Sequence, residues 1–274
     1  MRVGQTYFKN TDFIYYAIEE GLIRTNGVGY LYAHPPKLGE MLVNREVEIA
    51  PVSSIIYGQR YGDFAILPDF SISAYGGTKS ILVFSDSLDS LEDLEGKTLA
   101  VPGTSASSSA LAEIILKNKG VKAEILHHEE PNLEAMLRKA DAALLIGDDA
   151  LVAYFRGSRV ITDLGEEWKD ATGKKMVYAL WAIRREFADE NPGIIREFYD
   201  ALKRSREYAY KNIDSISRAL AERIEISPEL MREHLLTIDY GLDEEGEEGL
   251  REYFEHALKC GILQKRPEIN YFQV

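Results

Sequence analysis

The chain has 274 residues, 45% hydrophobic and 28% charged, with a formal net charge of −13, the profile of an ordinary folded protein large enough for two compact units. A long-range field of that sign repels nucleic acid and acidic membrane surfaces, which leaves a small molecule held by short-range donors as the expected partner. No apolar run approaches the roughly 20 residues of a spanning helix, and Met1 to Tyr7 enters a strand-like segment without the apolar core of a signal peptide, so a cytoplasmic location is expected.

Strands and helices alternate through the first half. Arg2 to Tyr7 reads as a strand and Asp12 to Glu20 as a helix. Gly29 to His34 is a strand, and Pro36 to Asn44 a helix with Leu38, Met41 and Leu42 on one side. Val47 to Val52 forms a short strand that runs into Ser53 and Ser54, and a helix covers Ile55 to Tyr61. Phe64 to Leu67 and Ser80 to Phe84 are two more apolar strands.

The pattern then restarts. A short helix and turn at Leu91 to Lys97 precede a strand from Thr98 to Val101 and a helix from Ser107 to Lys119. A strand follows at Ala123 to His127, then a helix from Asn132 to Lys139 with Asn132 as its cap. Ala142 to Ile146 is a buried strand, Asp148 to Phe155 a helix, Arg159 to Asp163 a strand, and Met176 to Ile183 a long apolar run. The remainder is helical. Pro192 opens a helix where its missing N–H costs nothing, and helical patterns continue with breaks through Arg223, from Pro228 to Ile238 and from Glu244 to Cys260.

This alternation implies an α/β protein with mostly parallel sheets flanked by helices. Two such units, with the chain returning to the first, describe a two-lobed molecule with a cleft. Crossings are expected near Ser85 to Ser90 and near Met176 to Arg184. That gives one lobe of residues 1–88 and 180–274, including the C-terminal helices, and a second of residues 89–179.

In open parallel sheets a ligand sits beyond the carboxyl ends of the strands. Tyr7, Lys9, Asn10 and Thr11 follow the first strand, and Ser53 and Ser54 follow the third. The loop before Ser80 holds Tyr75, Gly76, Gly77, Thr78 and Lys79. In the second unit, Gly103, Thr104, Ser105, Ser107 and Ser108 lead from a strand into a helix, and Gly147 and Asp148 follow the buried strand. The first N–H groups of a helix lack partners and carry its positive dipole end. Small hydroxyl residues there can gather donors around a carboxylate or phosphate; the same residues also serve as a serine-rich N-cap. Asp148 could orient donors or cap its own helix.

No pair among His34, His127, His128, His234 and His256 has metal-ligand spacing, so no metal site is expected. The single cysteine, Cys260, excludes an intramolecular disulfide. There is no G-x-G-x-x-G and no P-loop, and no cofactor is expected. The strand-end positions are amides, hydroxyls and glycines, suited to an oxygen-rich anion held by neutral donors.

Together, Asn10 within Tyr7 to Thr11, Ser53–Ser54, Ile66 to Gly76, Lys79 to Ser85, Thr104 to Ser108, Ile146 to Leu151, Asp163 to Trp168 and Thr172–Gly173 form a pattern that runs from about residue 2 to residue 272. That pattern resembles the chorismate dehydratases of the futalosine route to menaquinone. The resemblance implies the fold of type II periplasmic binding proteins. It implies a hydro-lyase that removes water from chorismate to give 3-[(1-carboxyvinyl)oxy]benzoate. It also implies that Asn10 and Ser80 are the polar pair beside the reacting ring, and that Thr104, Ser105, Ser107 and Ser108 hold a carboxylate. Ser53, Ser54, Gly77 and Asp148, from the strand-end positions above, complete the expected substrate-binding set.

One departure is visible: Lys174, Lys175 and Met176 stand where the family usually has Leu-Pro and an aromatic residue, which bears on the shape of the returning strand. The sister family, the 1,4-dihydroxy-6-naphthoate synthases, shares the fold but carries a histidine where this chain reads Ile146-Gly147-Asp148. A non-catalytic receptor for a small carboxylate is the remaining alternative, since fold does not fix function.

Overall fold

The computed structural model describes residues 1–103 and 105–274. The first unit opens with β1 (Arg2–Gln5), α1 (Lys9–Glu19), β2 (Gly29–Tyr32), α2 (Pro35–Val43), β3 (Ile49–Ser53), α3 (Ser54–Arg60) and β4 (Phe64–Ala74). The second contains β5 (Ile81–Phe84), β6 (Thr98–Pro102), α4 (Ala106–Lys119), β7 (Glu124–His128), α5 (Leu133–Leu137), β8 (Ala142–Ile146), α6 (Gly147–Phe155), β9 (Val160–Asp163) and α7 (Leu164–Thr172). The chain returns through β10 (Met176–Arg184) and ends in α8 (Arg185–Glu190), α9 (Pro192–Lys211), α10 (Ile213–Ile224), α11 (Pro228–Thr237) and α12 (Glu244–Lys259).

The two sheets repeat one plan. Their strand orders are β2-β1-β3-β10-β4 and β7-β6-β8-β5-β9. In the first, β1 is parallel to β2 and β3, while β10 runs antiparallel between β3 and β4. In the second, β6 is parallel to β7 and β8, and β5 runs antiparallel between β8 and β9. The reversed strand in each sheet is the one that carries the chain across from the other.

The crossing out of the first sheet therefore lies at Tyr75 to Ser80, ahead of β5, and not at Ser85 to Ser90 as the sequence suggested. Residues 81–84 belong with the second sheet, while β10 lies wholly in the first, so both boundaries of the expected 89–179 lobe move. The reason is local. Ser85 Oγ accepts from the backbone N–H of Ser87 (3.2 Å) and Leu88 (3.1 Å) and donates to the Asp141 carbonyl (2.7 Å). That folds residues 85–88 into a turn against the same sheet.

Three further differences have physical causes. β4 continues past Pro68, where the sequence breaks the apolar run, because its irregular middle leaves the ladder with β10 while both ends pair. A proline has no N–H to give the ladder, and Asp69 takes a positive φ of 62° beside it. The helix α7 went unread, although Asp163 caps it by accepting from Gly165 N–H (2.8 Å) and Glu166 follows three residues on. After the Lys174-Lys175 departure β10 starts at Met176, and its register against β4 shifts between Val177 and Ala179, a bulge at Tyr178. Lys175 Nζ is tied to Asp239 and Asp243 (both 2.9 Å), and its carbonyl accepts from Trp168 Nε1 at 3.3 Å.

The core is aromatic where the C-terminal helices meet the first sheet. Trp181 and Tyr15 are fully buried, and the indole N–H donates to the phenol oxygen at 2.8 Å, so both polar tips are met. No helix among the described residues is long and apolar enough to cross a membrane.

Candidate active site

A cavity of about 80 Å³ lies between the two sheets at the carboxyl ends of their strands. Thr6, Phe8, Asn10, Thr11, Pro51 and Ser53 line it from the first unit, with Ile72, Tyr178 and Ala179. Thr78, Ser80, Ile81, Ser105, Ser107, Ser108, Ile146 and Gly147 line it from the crossing and the second unit. Among the described residues, no lining residue carries a formal charge apart from what a tyrosine could acquire at high pH. Among the described residues, no three His, Cys, Asp or Glu side chains gather as a metal site.

Asn10 is the second residue of α1 and is oriented by a chain of hydroxyls. Thr6 Oγ1 donates to Thr11 Oγ1 (2.8 Å), which donates to Asn10 Oδ1 (3.1 Å). The amide oxygen is thus used inside the protein, and Nδ2 remains for the cavity. Ser80 is held just as firmly. Its Oγ donates to Thr78 Oγ1 at 3.0 Å, and its N–H reaches the same oxygen at 3.3 Å. Thr78 is fixed in turn, because its N–H and that of Lys79 both donate to Asp163 Oδ2 (2.8 Å each) and its carbonyl accepts from His234 Nδ1 at 3.0 Å. Burial pushes His234 down to about 4, so its ring is neutral at ordinary pH and Nδ1–H is the donor.

On the opposite wall Ser105 is the N-cap of α4. Its Oγ accepts from Ser108 N–H (3.2 Å) and donates to Ser108 Oγ (3.0 Å). The capping reading of this segment is met by Ser105, and Ser105, Ser107 and Ser108 all line the cavity. Ser107 Oγ accepts from Ile55 N–H of α3 at 3.2 Å, a bond that joins the two units. Ser53 Oγ is buried with no protein partner. Thr104 lies outside the described residues.

Three expected residues are not in this cavity. Ser54 Oγ is turned away and donates to the Val177 carbonyl at 2.6 Å, tying α3 to β10. Gly77 gives its N–H to Glu166 (2.9 Å), so that donor is taken. Asp148 neither lines the cavity nor caps its own helix. Its Oδ1 accepts from Lys9 N–H (3.1 Å), the first residue of α1, and its Oδ2 stands 3.7 Å from Lys9 Nζ. It caps a helix of the opposite unit, an arrangement that spacing along the chain does not reveal. Thr78, one of the strand-end positions, lines the cavity, and Thr6, Phe8 and Tyr178 are cavity residues that sequence reasoning missed.

Burial pushes the Asp148 carboxyl up to about 7, against the pull of Lys9. A raised value means the folded state binds the proton more tightly than the unfolded chain. The associated stability is present below about pH 4 and is lost as pH rises towards 7. Asp148→Asn keeps an oxygen for Lys9 N–H and removes that dependence. Urea denaturation should find it more stable than the parent by about 2 kcal/mol at pH 8, with little difference near pH 4. Parallel pH profiles for the two proteins would refute this role.

The chain matches the menaquinone biosynthesis family over residues 1–259. It is 30% identical over 249 residues to a chorismate dehydratase of Thermus thermophilus, covering 85% of this chain and 88% of that protein. It is 23% identical over 236 residues to a 1,4-dihydroxy-6-naphthoate synthase of Streptomyces coelicolor, covering 81% and 82%. Among solved structures, a protein from Archaeoglobus fulgidus superposes with a TM-score of 0.80 at 23% identity, over 96% of this chain and 98% of that one. The alkanesulfonate-binding protein of Xanthomonas axonopodis pv. citri, bound to MOPS, gives a TM-score of 0.76 at 16% identity, over 98% and 96%. The fold is thus that of the periplasmic binding proteins.

Proposed function

The chain belongs to the menaquinone biosynthesis family, and on that premise we propose that it is a chorismate dehydratase working in the cytoplasm on a small dianionic substrate. The similarity to the Thermus thermophilus dehydratase along 85% of the chain carries this reading. The cavity chemistry supports it: neutral hydroxyl and amide donors between two sheets suit an oxygen-rich anion. Asn10 and Ser80 are the residues we place beside the reacting ring, with Ser53, Ser105, Ser107 and Ser108 as binding residues. Thr104 belongs to the same proposed set.

In the proposed reaction the C–H proton on the ether-bearing ring carbon leaves, the neighbouring C–O bond breaks, and water departs with that proton as the ring becomes aromatic. Aromatisation makes the step downhill, so the protein's task is the barrier. Hydroxide is a poor leaving group, and donors fixed in advance around the departing oxygen lower its cost. Neutral lining residues leave the substrate's own enolpyruvyl carboxylate as the base. The two sheets with their helices are the lobes we expect to part for entry and close over the substrate, excluding water.

The deciding experiment mixes the purified protein with chorismate and follows aromatic product by ultraviolet absorbance. Conversion to 3-[(1-carboxyvinyl)oxy]benzoate is expected. Saturable binding without turnover would replace this reading with a receptor. The sister synthase reading is tested with cyclic dehypoxanthine futalosine in a parallel tube; the absence of histidine from the cavity lining weighs against it.

A further inference from the structure

Phe8, the residue that opens α1, has no side-chain group with which to cap it. The first N–H of that helix, from Lys9, is met instead by Asp148 Oδ1 at 3.1 Å, an acceptor 139 residues away on the second unit. The Lys9 ammonium is held as well. It donates to the Tyr7 carbonyl (2.8 Å) and to Asp12 Oδ2 (2.9 Å), and Asp148 Oδ2 stands 3.7 Å from it. The next residue of α1 is Asn10, so this cap acts on the turn that carries the Asn10 amide.

Gly147, the neighbour of Asp148, holds the other half of the pair. Its N–H donates to the Ser80 carbonyl at 2.7 Å, continuing the β5–β8 ladder. It also lies against the Phe8 ring: a Cβ there would stand 2.8 Å from two ring carbons, and its φ of 58° suits a glycine. Two adjacent residues at the start of α6 therefore hold the chain just before Asn10 and at Ser80. Thr11 and Thr78 orient Asn10 and Ser80 within their own segments, but those bonds do not set one side chain against the other. The contacts of Gly147 and Asp148 do, because they reach both. A misplacement of about 1 Å at a reacting centre can cost about a hundredfold in rate.

We propose that Asp148 is a positioning residue: by capping α1 from the second unit it sets Asn10 against Ser80, so that the polar pair is assembled when the two units come together. It acts through Asn10 and not on the substrate. The reaction given to that pair rests on the proposed function; the placing of Asn10 does not.

Asp148→Ala removes the acceptor, whereas Asp148→Asn keeps an oxygen for the Lys9 N–H. At saturating chorismate, and per folded molecule, Asp148→Ala should lower kcat by about ten- to a hundredfold. Asp148→Asn should stay within about threefold of the parent, since asparagine caps as well as aspartate. The loss should vanish when Asn10 is already alanine, because nothing is then left to position. Parent kcat in Asp148→Ala, an Asp148→Asn protein as slow as the alanine variant, or losses that multiply in the double variant would each overturn the proposal. A cap that served the fold alone would give the last of these. The placement is also read without substrate, from the side-chain amide signal of Asn10 in 15N NMR, identified by its absence from Asn10→Ala. It should move in Asp148→Ala and hold in Asp148→Asn; an unmoved signal in Asp148→Ala would overturn the proposal. If the parent leaves chorismate unchanged, the dehydratase reading falls, and the NMR result alone decides the role of Asp148.

Discussion

Asn10→Ala and Ser80→Ala should each lower kcat on chorismate by about a hundred- to a thousandfold, the usual effect of removing one preorganised polar group from a reacting centre. Each side chain is held by protein groups before any ligand arrives. Thr11 fixes the Asn10 amide through its oxygen, and Thr78 anchors Ser80. A group held in this way needs no reorganisation during the reaction: Asn10 presents its amide N–H, and Ser80, its proton given to Thr78, presents its oxygen. Neither group titrates, so the pH–rate profile should keep its shape while its height falls. Folding should be nearly unaffected for Asn10→Ala, and lowered by about 1 kcal/mol for Ser80→Ala through loss of the bond to Thr78. Steady-state absorbance assays with urea midpoints on the same preparations check both statements. Full activity in both variants would place the chemistry elsewhere.

Gly165→Ala is expected to damage both stability and substrate handling. Gly165 is the second residue of α7, and its Cα faces the crossing strand so closely that a Cβ would collide with the Gly76 carbonyl oxygen. The same Cβ would stand 2.8 Å from the Tyr178 hydroxyl and 3.1 Å from Asp163 Oδ1. The obstacle is backbone, which has little freedom to give, and overpacking of this kind costs about 1–3 kcal/mol. The crossing that must shift carries Thr78 and Ser80, so kcat/KM should fall by about tenfold or more if donors move from their productive positions. Gly193→Ala in α9 is the control: a Cβ there meets nothing within 4 Å, and its urea midpoint should be unchanged or slightly raised. A Gly165→Ala protein with the parent's midpoint and activity would show that this contact is not tight in solution.

Local chemistry made most elements legible. Asn132 was read as a cap, and its side chain accepts from Ala135 N–H. The apolar runs that became β5, β6, β8 and β10 were visible as such, because a buried strand must be apolar along its length. The small-residue segment before α4 was recognisable because an N-cap serine and a donor-rich helix start share one composition. Long-range pairing was less accessible. Ser85 reads as the end of a strand leading to a crossing, yet its hydroxyl folds the chain back through a contact with Asp141, 56 residues away. The short signal of α7, an aspartate followed by a glutamate three residues on, was present at Asp163 and Glu166 and competes with many chance occurrences.

Within the site the same division holds. Sequence alone determined the repeated α/β plan, the neutral, hydroxyl-rich character of the strand ends, and the places of Asn10, Ser53, Ser80, Ser105, Ser107 and Ser108 near them. These follow from periodicity and residue chemistry, which act over a few neighbours. Tertiary structure alone decided that Ser54 and Gly77 spend their groups on the protein, that Asp148 caps a helix of the other unit, and that Tyr178 is turned inward at a bulge. Each of these depends on which distant backbone group stands within about 3 Å, and hydrogen bonding is too short-ranged for spacing along the chain to foretell it.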